Sequence, residues 1–242
     1  YMPNTRAVVD LPTFRSNIAN IRSQLHARTK ICLAVKADAY GHGALRISAE
    51  AVHSGVEWLA VATAEEALEL RTGRINAPIM LLGRAPDDDA AELVEQEISC
   101  VIGDIDHLET ILLAAKRVDK PARLHLEIDT GMGRTGCRPE QTPAIAEYIA
   151  DEQHVELEGV FTHFADAEGD ARFTRNQIER FEAALKCFGR GNRPIIHASN
   201  SAGVFNIGDA QYDMVRPGIS AYGYAPSGSR APVMPSMELI SK

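Results

Sequence analysis

The sequence predicts a (β/α)8 barrel, and three observations carry that prediction. Short apolar runs recur along the whole chain, separated by stretches of about 8 to 16 residues with helical periodicity, a pattern that calls for parallel strands joined by crossover helices. About eight such units fit into the 242 residues, which is the size of that barrel. The competing architecture, a doubly wound open sheet, ranks second because no GxGxxG turn follows the first apolar strand.

Taken in order, Leu11, Phe14, Ile18, Ile21 and Leu25 recur at helical steps and mark an amphipathic helix. A buried strand over 31–36 follows, then a helix near 44–54, a strand over 58–62 and a helix over 64–71. Strand 79–82, helix 88–97, strand 99–102 and helix 105–117 continue the alternation. The second half reads as strand 124–128, helix 143–151, strand 160–164, helix 173–188, strand 194–197 and a last strand holding Met214 and Val215. The turn formers from Pro226 to Pro232 interrupt the pattern. Residues 1–226 are therefore expected to form the barrel, and 227–242 a linker with the first residues of a truncated C-terminal β-domain. A chain that begins Tyr1-Met2-Pro3-Asn4 also reads as processed or trimmed.

Composition narrows the function. Twenty-five basic against 33 acidic side chains give a formal charge of −8, and no basic block is present to follow a phosphate backbone, so nucleic acid is not expected as a partner. No apolar run approaches the ~20 residues of a membrane helix, and the N-terminus has no signal-peptide core. A soluble, cytoplasmic protein without a membrane partner is expected. The cysteines Cys32, Cys100, Cys137 and Cys187 form no CxxC pair and are expected to be reduced thiols rather than metal ligands.

In a barrel the residues at strand C-termini face the active site. Lys36 stands where a buried strand ends and a glycine-containing turn, Ala37 to Gly43, begins. A desolvated, neutral lysine is a Schiff-base nucleophile, although a lysine at a strand end can also simply snorkel to water. Tyr40 brings a hydroxyl beside that amine, and Gly41 and Gly43 allow close backbone approach. Further along, Arg134 lies in a glycine-rich loop able to aim a guanidinium at an oxyanion. His163 ends the sixth strand, either as a core histidine or as a ring on a ligand face. Asn200 and Ser201 open a helix, where a cap and an anion site cannot be told apart. Ser201, Gly218 and Ile219 fall in the loops that usually bind phosphate in this fold. Arg216, on an apolar strand, needs a buried acceptor, for which a pyridine nitrogen and Asp213 both qualify.

The nonapeptide VKADAYGHG resembles the pyridoxal-phosphate lysine motif of alanine racemases, and MGRTG, FTHFA, HASNSAG and VRPGISAYG follow in the order of that family and cover nearly the whole chain. The resemblance implies an alanine racemase that interconverts L- and D-alanine for cell-wall synthesis, with pyridoxal 5'-phosphate as cofactor and alanine as substrate. It implies that Lys36 carries the cofactor as a Schiff base and acts as acid and base on one face of the substrate. It places Tyr40, Asn200, Ser201, Gly218 and Ile219 at the phosphate and Leu82 near the ring. Arg134 would contact the phenolic oxygen and the substrate carboxylate, Arg216 the pyridine nitrogen, with His163 and His197 orienting that arginine and the cofactor.

Two departures stand out. Many members carry a carbamylated lysine where this chain has Glu127, so Glu127 is expected to offer Arg134 a permanent carboxylate. The family's C-terminal domain also donates a tyrosine, the second acid/base group, to the partner subunit of a homodimer; Tyr222 and Tyr224 are poor substitutes, and the chain alone is expected to be inactive or weak. A non-catalytic pyridoxal-phosphate carrier and a racemase of serine or another amino acid are the competing functions.

Overall fold

The computed structural model describes residues 5–189 and 193–241, so Tyr1 to Asn4 and Lys242, which figure in the readings of the two ends, lie outside the described residues. The first strand, β1 (Thr5–Val9), stands apart from the barrel and precedes a helix, Leu11–Ser23, whose buried face holds Phe14, Asn17, Ile18 and Ile21. Eight parallel strands then close on themselves: β2 (Lys30–Ala34), β3 (Trp58–Val61), β4 (Ile79–Leu81), β5 (Ile98–Ile102), β6 (Ala122–Glu127), β7 (Val155–Phe161), β8 (Ile195–His197) and β9 (Met214–Val215). Closure comes from β9 pairing with β2, Lys30 opposite Met214 and Ile31 opposite Val215. A closed barrel rules out the open doubly wound sheet.

Most strand positions are buried, and the period of two divides the side chains between two cores. Outward residues such as Leu33, Leu59, Leu124 and Leu126 pack under the helices. Inward residues such as Cys32, Trp58, Ala60, Met80, Val101, Phe161 and Met214 fill the barrel. In β6 the alternation reads Leu124 and Leu126 outward, so His125 and Glu127 point into the barrel between them.

Several boundaries differ from the sequence expectation, each for a local reason. The strand expected at 160–164 runs instead from Val155 to Phe161, and Phe164, apolar but beyond the ladder, packs in the outer core. The helix expected over 88–97 is shortened to Ala90–Glu95. The long helix is Ala171–Ala184, capped by the Asp170 carboxylate and followed by a 3-10 turn at Leu185–Cys187. The strand predicted through Lys36 ends at Ala34.

A last strand, β10 (Met237–Ser241), pairs antiparallel with β1, Thr5 opposite Ser241 and Val9 opposite Met237. This two-stranded sheet lies outside the barrel. It is tied to the barrel by Asn17, which donates to the carbonyls of Ala221 and Met234 and accepts from the Met234 N–H.

Candidate active site

The residues singled out above converge because all of them follow C-terminal ends of strands around one mouth. Lys36 follows β2, Leu82 follows β4, Glu127 ends β6, Arg134 lies in the loop after it, His163 follows β7, Asn200 and Ser201 follow β8, and Arg216, Gly218 and Ile219 follow β9. Together with Tyr40 they line one cavity of about 460 Å³. His197 does not line it but is bonded to Arg216, which does. Sequence reasoning missed other lining residues: Ala60, Thr135, Phe161 and Glu168. Phe161 had a signal, being the inward residue two before His163.

The turn after Lys36 is unlike anything the sequence suggests. Ala37, Asp38, Ala39 and Tyr40 all have φ between 51 and 54°, a full left-handed turn with no glycine in it. Each such residue costs about 1–2 kcal/mol for an L-amino acid, and single αL residues rather than runs are the rule. The cost is offset by dense bonding: Glu66 accepts from the Ala37 and Ala62 N–H groups, Asp38 accepts from the Ala44 N–H, and Ala39 is fully buried. The turn swings Tyr40 toward the last barrel loop, where a Cβ added to Gly218 would sit 2.8 Å from the Tyr40 hydroxyl. Any side chain there would have to push the Tyr40 hydroxyl aside.

Asn200 caps the short helix Ser201–Asn206, its side-chain oxygen accepting from the Gly203 N–H. Ser201 does something different. Its hydroxyl accepts from the N–H groups of Gly218 and Ser220 and from the Ser220 hydroxyl, joining the loops after β8 and β9. The cap and the loop-to-loop bridge are thus divided between neighbours.

Arg216 is a buried cation. Its Nη1 donates to His197 Nδ1 at 2.7 Å, and its Nη2 donates to the carbonyls of Thr162 and Ala198 and lies 3.3 Å from His163 Nδ1. Its guanidinium lies 4.6 Å from the Phe161 ring centre. Asp213, the structural acceptor considered from sequence, is engaged elsewhere, with the Ile196 N–H and Arg193. Burial lowers the Arg216 pKa to about 10, which leaves it charged at neutral pH. With Nη1 and Nη2 engaged, Nε finds no acceptor among the described residues, so part of the five-donor fork is available to a ligand.

The surrounding histidines are neutral. Burial, then the Arg216 charge, lowers His125 to about 3; burial and then Arg216, Arg134 and Lys36 do the same to His163; and His197 is lowered well below its ordinary value. These rings are uncharged in the native state but take up protons once unfolded, so the unfolded chain binds more protons between the unfolded value of 6.5 and about 3. Stability is therefore fully present above that window and falls as pH falls through it, by up to about 1.4 kcal/mol per pH unit per histidine. Urea unfolding at pH 7 and pH 5 is expected to show a clearly lower midpoint at pH 5; equal midpoints would contradict the buried neutral assignment.

Glu127 is buried with its carboxyl raised above the ordinary range by burial, an effect opposed by the Thr135 hydroxyl and by Arg216 and Arg134. Ion pairs among the described residues do not include Glu127 with Arg134. Both line the cavity nonetheless, with Arg134 exposed at its rim.

Comparison with known proteins agrees with this geometry. The family described as "Alanine racemase, N-terminal domain" matches residues 9–226. An alanine racemase of Treponema denticola is 41% identical over all of this chain and 66% of its own length, and one of Symbiobacterium thermophilum is 39% identical over 93% of this chain and 60% of its own. The chain thus spans about three-fifths to two-thirds of these relatives. Among solved structures, alanine racemase of Clostridium difficile 630 superposes with a TM-score of 0.92 at 34% identity, covering 97% of this chain and 64% of that one. The same racemase in complex with cycloserine matches at a TM-score of 0.93, also at 34% identity, over 99% of this chain and 68% of that one. From the match over 9–226 and the identity to these relatives, the chain belongs to the family of alanine racemase N-terminal domains.

Proposed function

We propose that this chain is the cofactor-binding barrel of an alanine racemase that interconverts L- and D-alanine with pyridoxal 5'-phosphate. The observation that carries the reading is the convergence of Lys36, Arg134, Arg216 and the Tyr40–Ser201–Gly218 cradle on one cavity at the strand C-termini. The residues fit the cofactor. A cradle that a Cβ at Gly218 would fill, beside the Tyr40 hydroxyl, suits a phosphate, and the free Nε of the buried Arg216 suits a ring nitrogen.

When bound, pyridoxal phosphate supplies an electron sink that makes a substrate Cα proton acidic. The chain's own residues do the rest. Lys36 would hold the cofactor, and its amine is the group that would move a proton to or from Cα on its face. Tyr40, Asn200, Ser201, Gly218 and Ile219 hold the phosphate, with Leu82 against the ring. Arg134 binds the substrate carboxylate and orients it. Arg216 cannot accept a proton and does not readily give one up, so it would hold a ring nitrogen in its unprotonated form and make the sink that the cofactor supplies a moderate one. His163 and His197 keep Arg216 in place.

The proton on the opposite face needs a second group. Tyr222 is unsuited to that task, because its buried hydroxyl donates to the Ala34 carbonyl and burial raises its pKa well above the ordinary value. We assign it to a tyrosine contributed by the partner subunit of a cytoplasmic homodimer, beyond the barrel. D-alanine made in this way feeds cell-wall synthesis. Racemisation of L-alanine by the full-length gene product, followed by chiral chromatography, tests the reading, and cofactor binding without any D-alanine would favour a carrier instead. In the same assay Glu127→Gln is expected to raise the KM for alanine by about threefold, because the cavity that Arg134 lines loses the negative charge that attracts its guanidinium without touching it. An unchanged KM would remove Glu127 from the site.

A further inference from the structure

The barrel interior holds a chain of polar groups whose far end, His125 and Glu158, the proposed chemistry does not use. It begins at Arg216 and leads away from the pocket. An arginine can only donate, so the bond from its Nη1 makes His197 Nδ1 an acceptor and places the His197 proton on Nε2. That Nε2 lies 2.9 Å from His125 Nδ1, so His197 donates and His125 in turn carries its proton on Nε2. This Nε2 is buried with no hydrogen-bond partner among the described residues, and Glu158 Oε2 lies 3.8 Å away. Glu158 also accepts from the Ser99 hydroxyl and lies 3.9 Å from Arg123.

The backbone is shaped to bring Glu158 there. Leu124 lies opposite Leu157 but His125 lies opposite Gly159, so Glu158 is the extra residue of a bulge in β7. A bulge re-aims side chains, and here it lets Glu158 and Gly159 face the inside of the barrel together. The next residue makes room for the ring: a Cβ at Gly159 would sit 2.2 Å from His125 Nδ1. Trp58 meets the His125 ring edge-on at 5.2 Å and Phe161 stacks on His197 at 4.8 Å, which fixes both rings.

We propose that Glu158 is a positioning residue for Arg216, acting through His125 and His197 as the anionic end of a one-way chain of donors that crosses the barrel. Each group donates toward the carboxylate, so the dipoles of the chain align between a buried cation and an anion that nothing else links. The last step needs a closing of less than about 1 Å to become a hydrogen bond. The chain matters for the pocket because it leaves only Nδ1 of His197 to face Arg216. It thereby fixes the direction of the guanidinium fork.

Two measurements on this chain decide the matter. Nitrogen-15 spectra of the histidine-labelled protein at pH 7 are expected to show both His125 and His197 protonated on Nε2, and in Glu158→Gln the signals of both rings are expected to shift. Protonation on Nδ1 in either ring, or a shift in Glu158→Gln that stops at His125, overturns the proposal. The second measurement deepens the reading of the site and rests on it: Glu158→Gln is expected to weaken pyridoxal phosphate binding by about tenfold while leaving the protein folded. Unaltered affinity overturns the link to the pocket. If the unaltered chain binds no pyridoxal phosphate, the functional reading fails, and the spectra still judge the chain of donors.

Discussion

Replacing Gly159 with alanine is expected to destabilise the barrel by about 3 kcal/mol, the upper part of the range for overpacking a filled core. The added methyl would sit 2.2 Å from His125 Nδ1 and 2.4 Å from its Cε1, and the ring has nowhere to go. His125 is fully buried, edge-on to Trp58 and bonded to His197. The backbone cannot retreat either, since Gly159 is paired in the closed ladder with His125 on one side and Ile195 on the other. Urea unfolding followed by circular dichroism is the measurement. A midpoint within error of the unaltered protein would mean that the ring is not lodged against β7. A parallel Gly208→Ala change, where nothing lies within 4 Å of an added Cβ, is the matched control and is expected to be close to neutral.

Arg216→Met is expected to cost about as much in stability and far more in cofactor binding. The aliphatic part is retained, but the carbonyls of Thr162 and Ala198 and the Nδ1 of His197 lose their donor inside the barrel. A buried acceptor left without a partner costs about 1–3 kcal/mol, and relief from desolvating the guanidinium offsets part of the sum. A net loss of about 3 kcal/mol is expected. His197 is then free to change tautomer, and the ring nitrogen of the cofactor loses its donor. Pyridoxal phosphate affinity is expected to fall by about 100-fold, on the order of 3 kcal/mol. A loss of stability with unaltered affinity would show that Arg216 is a purely structural cation. A second change, Arg216→Lys, keeps the charge but not the fork and so separates the two effects: it is expected to recover stability in part and affinity hardly at all.

Much of the site was legible because a barrel converts order along the chain into position around one mouth. Once strand ends are assigned, Lys36, Leu82, Arg134, His163, Ser201 and Gly218 must face the same space, however far apart they are in sequence. What was not legible has physical causes. The left-handed run Ala37–Tyr40 contains no glycine or asparagine, and the bonds that hold it come from Ala44 on the next helix and from Glu66 on a helix three elements later. Its conformation is dictated by tertiary contacts, against local preference. The pairing of Thr5–Val9 with Met237–Ser241 joins the two ends of the chain, and neither strand has the buried alternation that announces a strand.

The bulge at Glu158 was hidden for another reason. In Val-Glu-Leu-Glu-Gly-Val-Phe, strict alternation puts Gly159 on the face opposite to both glutamates, and only the register of β6 against β7 shows that Glu158 and Gly159 both face His125 inside the barrel. A partial signal did exist one strand earlier. Leu124-His125-Leu126-Glu127 places a polar residue at every second position of a strand that is otherwise buried, and such a strand has its polar face inside the barrel.

The most direct test of the whole account is borohydride trapping of pyridoxal phosphate on this chain, with the labelled residue located by peptide mass mapping. A single adduct on Lys36, abolished in Lys36→Ala while the variant stays folded, is the predicted result. Label spread over other lysines, or a Lys36→Ala protein labelled as well as the original, would contradict it.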